Sequence, residues 1–126
     1  MKVLSIREPY ATLIKDCVKI YETRSWKTNY RGEIYIHASK ALSKYENVEL
    51  ANDYVESAIN PGFILCRCEL IDCIPITDEF IKYIRKETNE EKYGLYSKGR
   101  YAWKLKVLEV LEKPIPAKGK LGIWNL

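Results

Sequence analysis

Residues 18–39, V-K-I-Y-E-T-R-S-W-K-T-N-Y-R-G-E-I-Y-I-H-A-S, gather Lys19, Glu22, Arg24, Trp26, Arg31 and the chain's one histidine, His37, into a single short stretch. Val18–Ser25 reads as a strand, Asn29 and Gly32 mark a turn, and Glu33–Ala38 reads as a second strand. The spacing therefore predicts a β-hairpin with polar side chains gathered along it. A packed core does not need that mixture of charges, so the same stretch is the first candidate for a site.

Outward from the hairpin, Lys2–Ile6 forms a short strand pattern. Pro9 opens a helix with Tyr10, Leu13, Ile14 and Cys17 at helical spacing. Ser43-x-x-Glu46 has the form of a capping box, ahead of a helix face made of Tyr45, Val48, Ala51, Val55 and Ala58. Asn60-Pro61-Gly62 then turns the chain. Phe63–Ile76 is a long apolar strand, and Thr77 caps a third helix that buries Phe80, Ile81 and Ile84. Asn89–Arg100 is polar and reads as an exposed loop. Tyr101–Val110 alternates as a strand, and Ile123, Trp124 and Leu126 dock the end of the chain on the body. The elements lack a βαβ rhythm. They predict an α+β fold: a small, mixed but mainly antiparallel β pseudo-barrel with about three helices at its rim.

The chain has 126 residues and 47% hydrophobic content, enough for one sizeable core, and is read as a single domain over residues 1–126. M-K-V-L-S-I-R-E carries charge where a signal peptide has an apolar run. No stretch approaches the roughly 20 apolar residues of a membrane span. These features predict a soluble cytoplasmic protein with no membrane partner, and leave its oligomeric state open. Cys17, Cys66, Cys68 and Cys73 show no C-x-x-C spacing and read as free thiols in a reducing compartment, so neither a metal nor a cofactor is expected. The net charge of +4 is uneven: residues 15–44 and 98–126 are basic and residues 45–97 acidic. That asymmetry points to a phosphate-bearing partner.

Lys19 stands among apolar residues, so it either lies at a strand edge in water or pairs with a carboxylate. Glu22 is near enough, but strict alternation puts the two on opposite faces, and pairing requires a bend. Glu69 shares a strand face with Leu65 and Arg67; that face meets either solvent or a polar cavity, where Glu69 and Lys19 would titrate together. Arg7, Arg24 and Arg31 offer planar forks for phosphate. Trp26, Tyr30 and Trp124 offer faces for a base, while Trp103 belongs in the core. His37 reads as a hydrogen-bonding residue. No G-x-S-x-G, glycine-rich phosphate loop or H-E-x-x-H occurs.

In combination, L-S-I-R-E-P-Y-A-T-L-I, K-I-Y-E-T-R-S-W-K-T-N-Y-R-G, I-H-A-S-K, G-R-Y-A-W and K-G-K-L-G-I-W-N-L resemble the ASCH domain family, along essentially the whole chain. The family pattern G-x-K-x-x-E/T-x-R has a glycine where this chain has Cys17. The resemblance implies a PUA-like fold and a cleft for nucleic acid or a nucleotide-like ligand, lined here by Ser5, Arg7, Lys19, Glu22, Arg24, Trp26 and His37. One bacterial branch of the superfamily hydrolyses N4-acetylcytidine with a lysine, a threonine three residues later and a glutamate on a later strand. Lys19 and Glu69 match two of these, and Glu22 replaces the threonine.

The expectation is thus a binding module for RNA or a modified nucleotide, with Arg31 joining the cleft residues. The alternatives are a metal-independent N4-acetylcytidine-type amidohydrolase using Lys19 and Glu69, with Glu22 orienting, and a ribonuclease.

Overall fold

A computed structural model describes residues 1–42 and 61–126. Six strands form one sheet: β1 (Lys2–Glu8), β2 (Tyr21–Arg24), β3 (Gly32–Leu42), β4 (Phe63–Pro75), β5 (Tyr101–Pro116) and β6 (Ile123–Asn125). Helix α1 (Tyr10–Lys15) follows β1. Helix α2 (Asp78–Glu87) and a 3-10 turn (Glu90–Tyr93) separate β4 from β5. The helix expected after Ser43 lies outside the described residues.

The sheet order is β2-β5-β4-β3-β1-β6. β1 and β3 run parallel, and every other pairing is antiparallel. The architecture is the expected α+β class, but the sheet is open, with β2 and β6 as its edges.

The hairpin between residues 18–25 and 33–38 does not form. β2 pairs with β5, Tyr21 opposite Lys104 and Arg24 opposite Tyr101, while β3 lies inside the sheet between β4 and β1. Burial overrides the local connection. Tyr21 packs with Ile76, Ile84, Tyr96 and Ala102 in a second core cluster, contributed by β5, α2 and the segments that flank them. Ile34 and Ile36 need the main core, where they meet Leu4, Ile6, Leu65 and Trp103. β2 is also shorter than predicted, because residues 17–19 terminate α1 rather than extend the strand.

Trp103 is fully buried, as its place in the alternation predicts. The long β4–β5 pairing curls the sheet through three register shifts, and one of them, between Ile64 and Cys66, turns Leu65 into the core beside Cys66 and Cys68. The Cys66 thiol, 3.8 Å from that of Cys68, and burial together push the Cys68 thiol far above its ordinary pKa, so it stays neutral. Cys17, by contrast, is exposed. Thr77 Oγ1 accepts the Phe80 N–H at 3.1 Å and caps α2. Most of residues 89–100 are exposed, as expected of a loop, but Glu90, Tyr93 and Tyr96 are buried and anchor it. Trp124 docks as expected, whereas the Leu126 side chain is 56% exposed.

Candidate functional site

The site begins at the end of α1. The Cys17 N–H bonds the Ile14 carbonyl at 3.0 Å and the Val18 N–H bonds the Leu13 carbonyl at 2.9 Å, the two hydrogen bonds of a Schellman stop. Cys17 sits at φ 61°, a left-handed conformation that costs a residue bearing a Cβ about 1–2 kcal/mol. The glycine of the family pattern would occupy this position without that strain. The turn precedes Lys19, and β2 begins only at Tyr21, so strict strand alternation does not hold Lys19 apart from Glu22.

Lys19 is 2% exposed. Its ammonium donates to the Tyr21 carbonyl and to the Tyr93 carbonyl at 2.9 Å. It lies 3.6 Å from Glu22 Oε1 and 5.4 Å from the centre of the Tyr10 ring. Burial pulls the Lys19 pKa below the ordinary lysine value, while the carboxylates of Glu22 and Glu90 pull it back up. Glu90 Oε1 accepts the N–H groups of Ile20 and Tyr21, each at 3.0 Å. The 3-10 turn thereby seals part of the β2 edge and closes the floor beneath the cleft.

Glu22 passes the linkage on. Its Oε2 accepts Arg24 Nε at 3.0 Å, and Arg24 Nη2 donates to the Ser5 carbonyl at 2.7 Å. β2 and β1 are far apart in the sheet order, so Arg24 ties the curled sheet together across its open side. The Arg24 Nη1 hydrogens have no partner among the described residues.

On the far side of Ser5, His37 Nε2 faces the Ala117 carbonyl at 2.8 Å, an acceptor only. Nε2 therefore carries a hydrogen, and in the neutral ring Nδ1 accepts from Ser5 Oγ at 3.0 Å. Ser5 Oγ in turn accepts the Trp124 Nε1–H at 3.0 Å. Gly119 lies over this pair so closely that a Cβ there would come within 2.9 Å of His37 Cε1 and 3.0 Å of Ser5 Oγ.

Ser5, Arg7, Glu22, Arg24 and His37 thus line one cleft, with Lys19 beneath Glu22. Arg7 is exposed and has no ionic or hydrogen-bonding partner among the described residues. The other anticipated residues lie elsewhere. Trp26 packs edge-on against Trp103, ring centres 4.7 Å apart. Arg31 bonds the carbonyls of Thr28 and Tyr30. Glu69 is on the exposed face of β4, opposite Glu33 and Lys106, so it does not meet Lys19 in a cavity. Among the described residues no three His, Cys, Asp or Glu side chains gather as a metal site.

Sequence reading missed Glu90, Arg100, Lys118, Gly119 and Lys120. Tyr93 and Tyr96, spaced by three in a polar segment, were the one available sign that residues 89–100 are anchored. Arg100 donates to the Leu95 carbonyl at 3.2 Å and the Thr23 carbonyl at 3.4 Å. With Lys118, Lys120 and Arg7, it makes the cleft rim basic. No helix among the described residues is long and apolar enough to cross a membrane.

Comparison with known proteins places this geometry. The chain is 27% identical to human (Homo sapiens) activating signal cointegrator 1 and 26% identical to the mouse (Mus musculus) protein of the same name. Each alignment covers 98% of this chain and 22% of the relative's length. The ASCH domain model matches residues 4–115, which include the Schellman stop, the Lys19–Glu22–Arg24 chain and the Ser5–His37 contact. The chain belongs to the ASCH domain family.

Proposed function

We infer that the cleft binds RNA or a nucleotide-like ligand. The observation that carries this reading is Arg24. Its guanidinium is immobilised on one edge by Glu22 and the Ser5 carbonyl, with Lys19 holding Glu22 from below. The Nη1 hydrogens remain for a ligand, on a residue that lines the cleft. A guanidinium held in this way suits a phosphate oxygen or a base acceptor, because little freedom is lost when the ligand arrives. Arg7, Lys118 and Lys120 at the rim add charge for the backbone, and Thr23 and Tyr93 contribute less charged wall.

The amidohydrolase reading has less support. A catalytic lysine must give up a proton, and the Lys19 ammonium hydrogens are directed at the Tyr21 and Tyr93 carbonyls and at Glu22. Glu69 faces solvent on β4. For the ribonuclease reading, the chain's one histidine has both ring nitrogens committed.

The test is fluorescence anisotropy with labelled RNA over a range of salt. Binding is expected whose log affinity falls linearly with log salt, and which Arg24→Ala weakens about tenfold or more, consistent with a charge-assisted contact. Absence of binding to RNA of mixed sequence, or salt-independent binding, would contradict the reading. Incubation with N4-acetylcytidine is expected to give no deacetylation, and turnover abolished by Lys19→Ala would favour the amidohydrolase.

A further inference from the structure

Residues 117–122, A-K-G-K-L-G, form a loop that is pinned at its base and bare at its tip. At the base, the Ala117 N–H bonds the Gly62 carbonyl at 3.0 Å, and the Ala117 carbonyl receives His37 Nε2 at 2.8 Å. Gly119 is pressed onto Ser5 and His37 with no room for a side chain. Gly122, at φ 65°, turns the chain into β6. Between these fixed points Leu121 is 98% exposed, the largest exposure of any large apolar side chain among the described residues. Lys118 and Lys120 are exposed on the same loop, and Lys120 Nζ stands 5.9 Å from the centre of the Trp124 ring. The loop lines the cleft.

A lone exposed leucine on an open surface needs no explanation. This one is held out on a pinned loop at the mouth of a basic cleft, directly after Lys120 and three residues after Lys118. Apolar side chains placed among phosphate-binding cations contact base faces. In a duplex those faces are stacked away. In a single strand they are free.

We propose that Leu121 is a base-contacting residue for single-stranded RNA: it packs on the face of one unstacked base while Lys118 and Lys120 hold the flanking phosphates. This rests on the nucleic-acid reading of the cleft. It adds to that reading a strand state and a residue that recognises it.

The test uses the full chain and fluorescein-labelled single-stranded RNA of roughly 12 nucleotides, within the range a small domain of this kind occupies. A matched RNA lacking all bases serves as the control. Leu121→Ala is expected to weaken binding to the intact RNA about fivefold, to leave the salt slope unchanged and to leave the base-free RNA unaffected. Leu121→Trp is expected to bind at least as tightly as the wild type. Lys120→Ala is expected to reduce the slope of log affinity against log salt by about 0.7. The melting temperature should not move with either Leu121 variant, because the side chain buries nothing. If the wild type binds and Leu121→Ala binds equally well, the proposal fails and the cleft reading stands. An equal loss on the base-free RNA, or preference for duplex over single strand, would also overturn it. If the wild type binds no RNA, both readings fail.

Discussion

Lys19, Glu22 and Arg24 form one chain of opposite charges beneath the cleft; Glu33, Arg67 and Glu109 form another across the exposed face of β3, β4 and β5. Both join glutamates to basic side chains, and the distances in the exposed set are as short, Arg67 Nη1 lying 2.6 Å from Glu33. They differ in water. The Lys19 side chain is 1% exposed, while those of Glu33 and Glu109 are more than half exposed. Exposed pairs gain little because solvent screens them and their side chains lose freedom. Buried charges cannot be abandoned by their partners without large cost. Short distance therefore does not mark the site; desolvation and direction toward a cleft do.

The largest effect is expected from breaking the buried chain. Lys19→Met removes the donor shared by the Tyr21 and Tyr93 carbonyls and leaves Glu22 without its ammonium partner. A loss of about 3–5 kcal/mol is expected, read from urea denaturation. Glu90→Ala strips the acceptor from two backbone N–H groups on the β2 edge. It is expected to lose about 2–3 kcal/mol in the same assay, which would show that the floor, and not Lys19 alone, holds the site.

Cys17→Gly sharpens the comparison in the opposite direction. It relieves the left-handed strain at the turn feeding Lys19 into the core but adds freedom to the unfolded chain. A net gain of up to about 1 kcal/mol is expected by thermal melting.

Tyr96 tests desolvation without charge at neutral pH. Its hydroxyl is buried and makes no hydrogen bond among the described residues, and burial, then Glu90, raises its pKa. A raised tyrosine pKa means that the folded state holds the proton more tightly. The associated stability is present below the unfolded value near 10 and is lost as pH climbs above it. Tyr96→Phe is expected to be neutral or slightly stabilising at pH 7 and to reduce the loss of stability above pH about 10, as followed by denaturation at a series of pH values. At the small end, Arg67→Ala is expected to cost less than about 1 kcal/mol. A larger loss would erase the contrast between the two charge sets.

How much of this could be read from the sequence depends on range. The elements whose signal is local were legible: the Thr77 cap, the apolar run of β4, the alternation that buries Trp103. The mixture at residues 18–39 marks Lys19, Glu22, Arg24 and His37 as candidates, and these gather with Ser5 and Arg7, which the family resemblance supplies, around one cleft. What failed was partner choice. A strand pattern does not say which strand it joins, and Tyr21 chose β5 because the second cluster needed it. Glu69 was misplaced as a candidate for the Lys19 cavity because alternation defines two faces of a strand without saying which meets water. Glu90 and Gly119 act through backbone groups and close packing across 69 and more residues of sequence, and neither leaves a spacing that sequence reading can use.

The central claim is that the cleft under residues 117–122, and not the charged face of the sheet, meets nucleic acid. The most direct measurement is a two-dimensional amide NMR titration of the labelled protein with single-stranded RNA at low salt. The account expects shifts concentrated at Arg7, Arg24, Gly119 and Lys120, with the amides of Glu33, Arg67 and Glu69 unmoved. Shifts centred on Glu33, Arg67 and Glu69, or none anywhere at millimolar RNA, would contradict it.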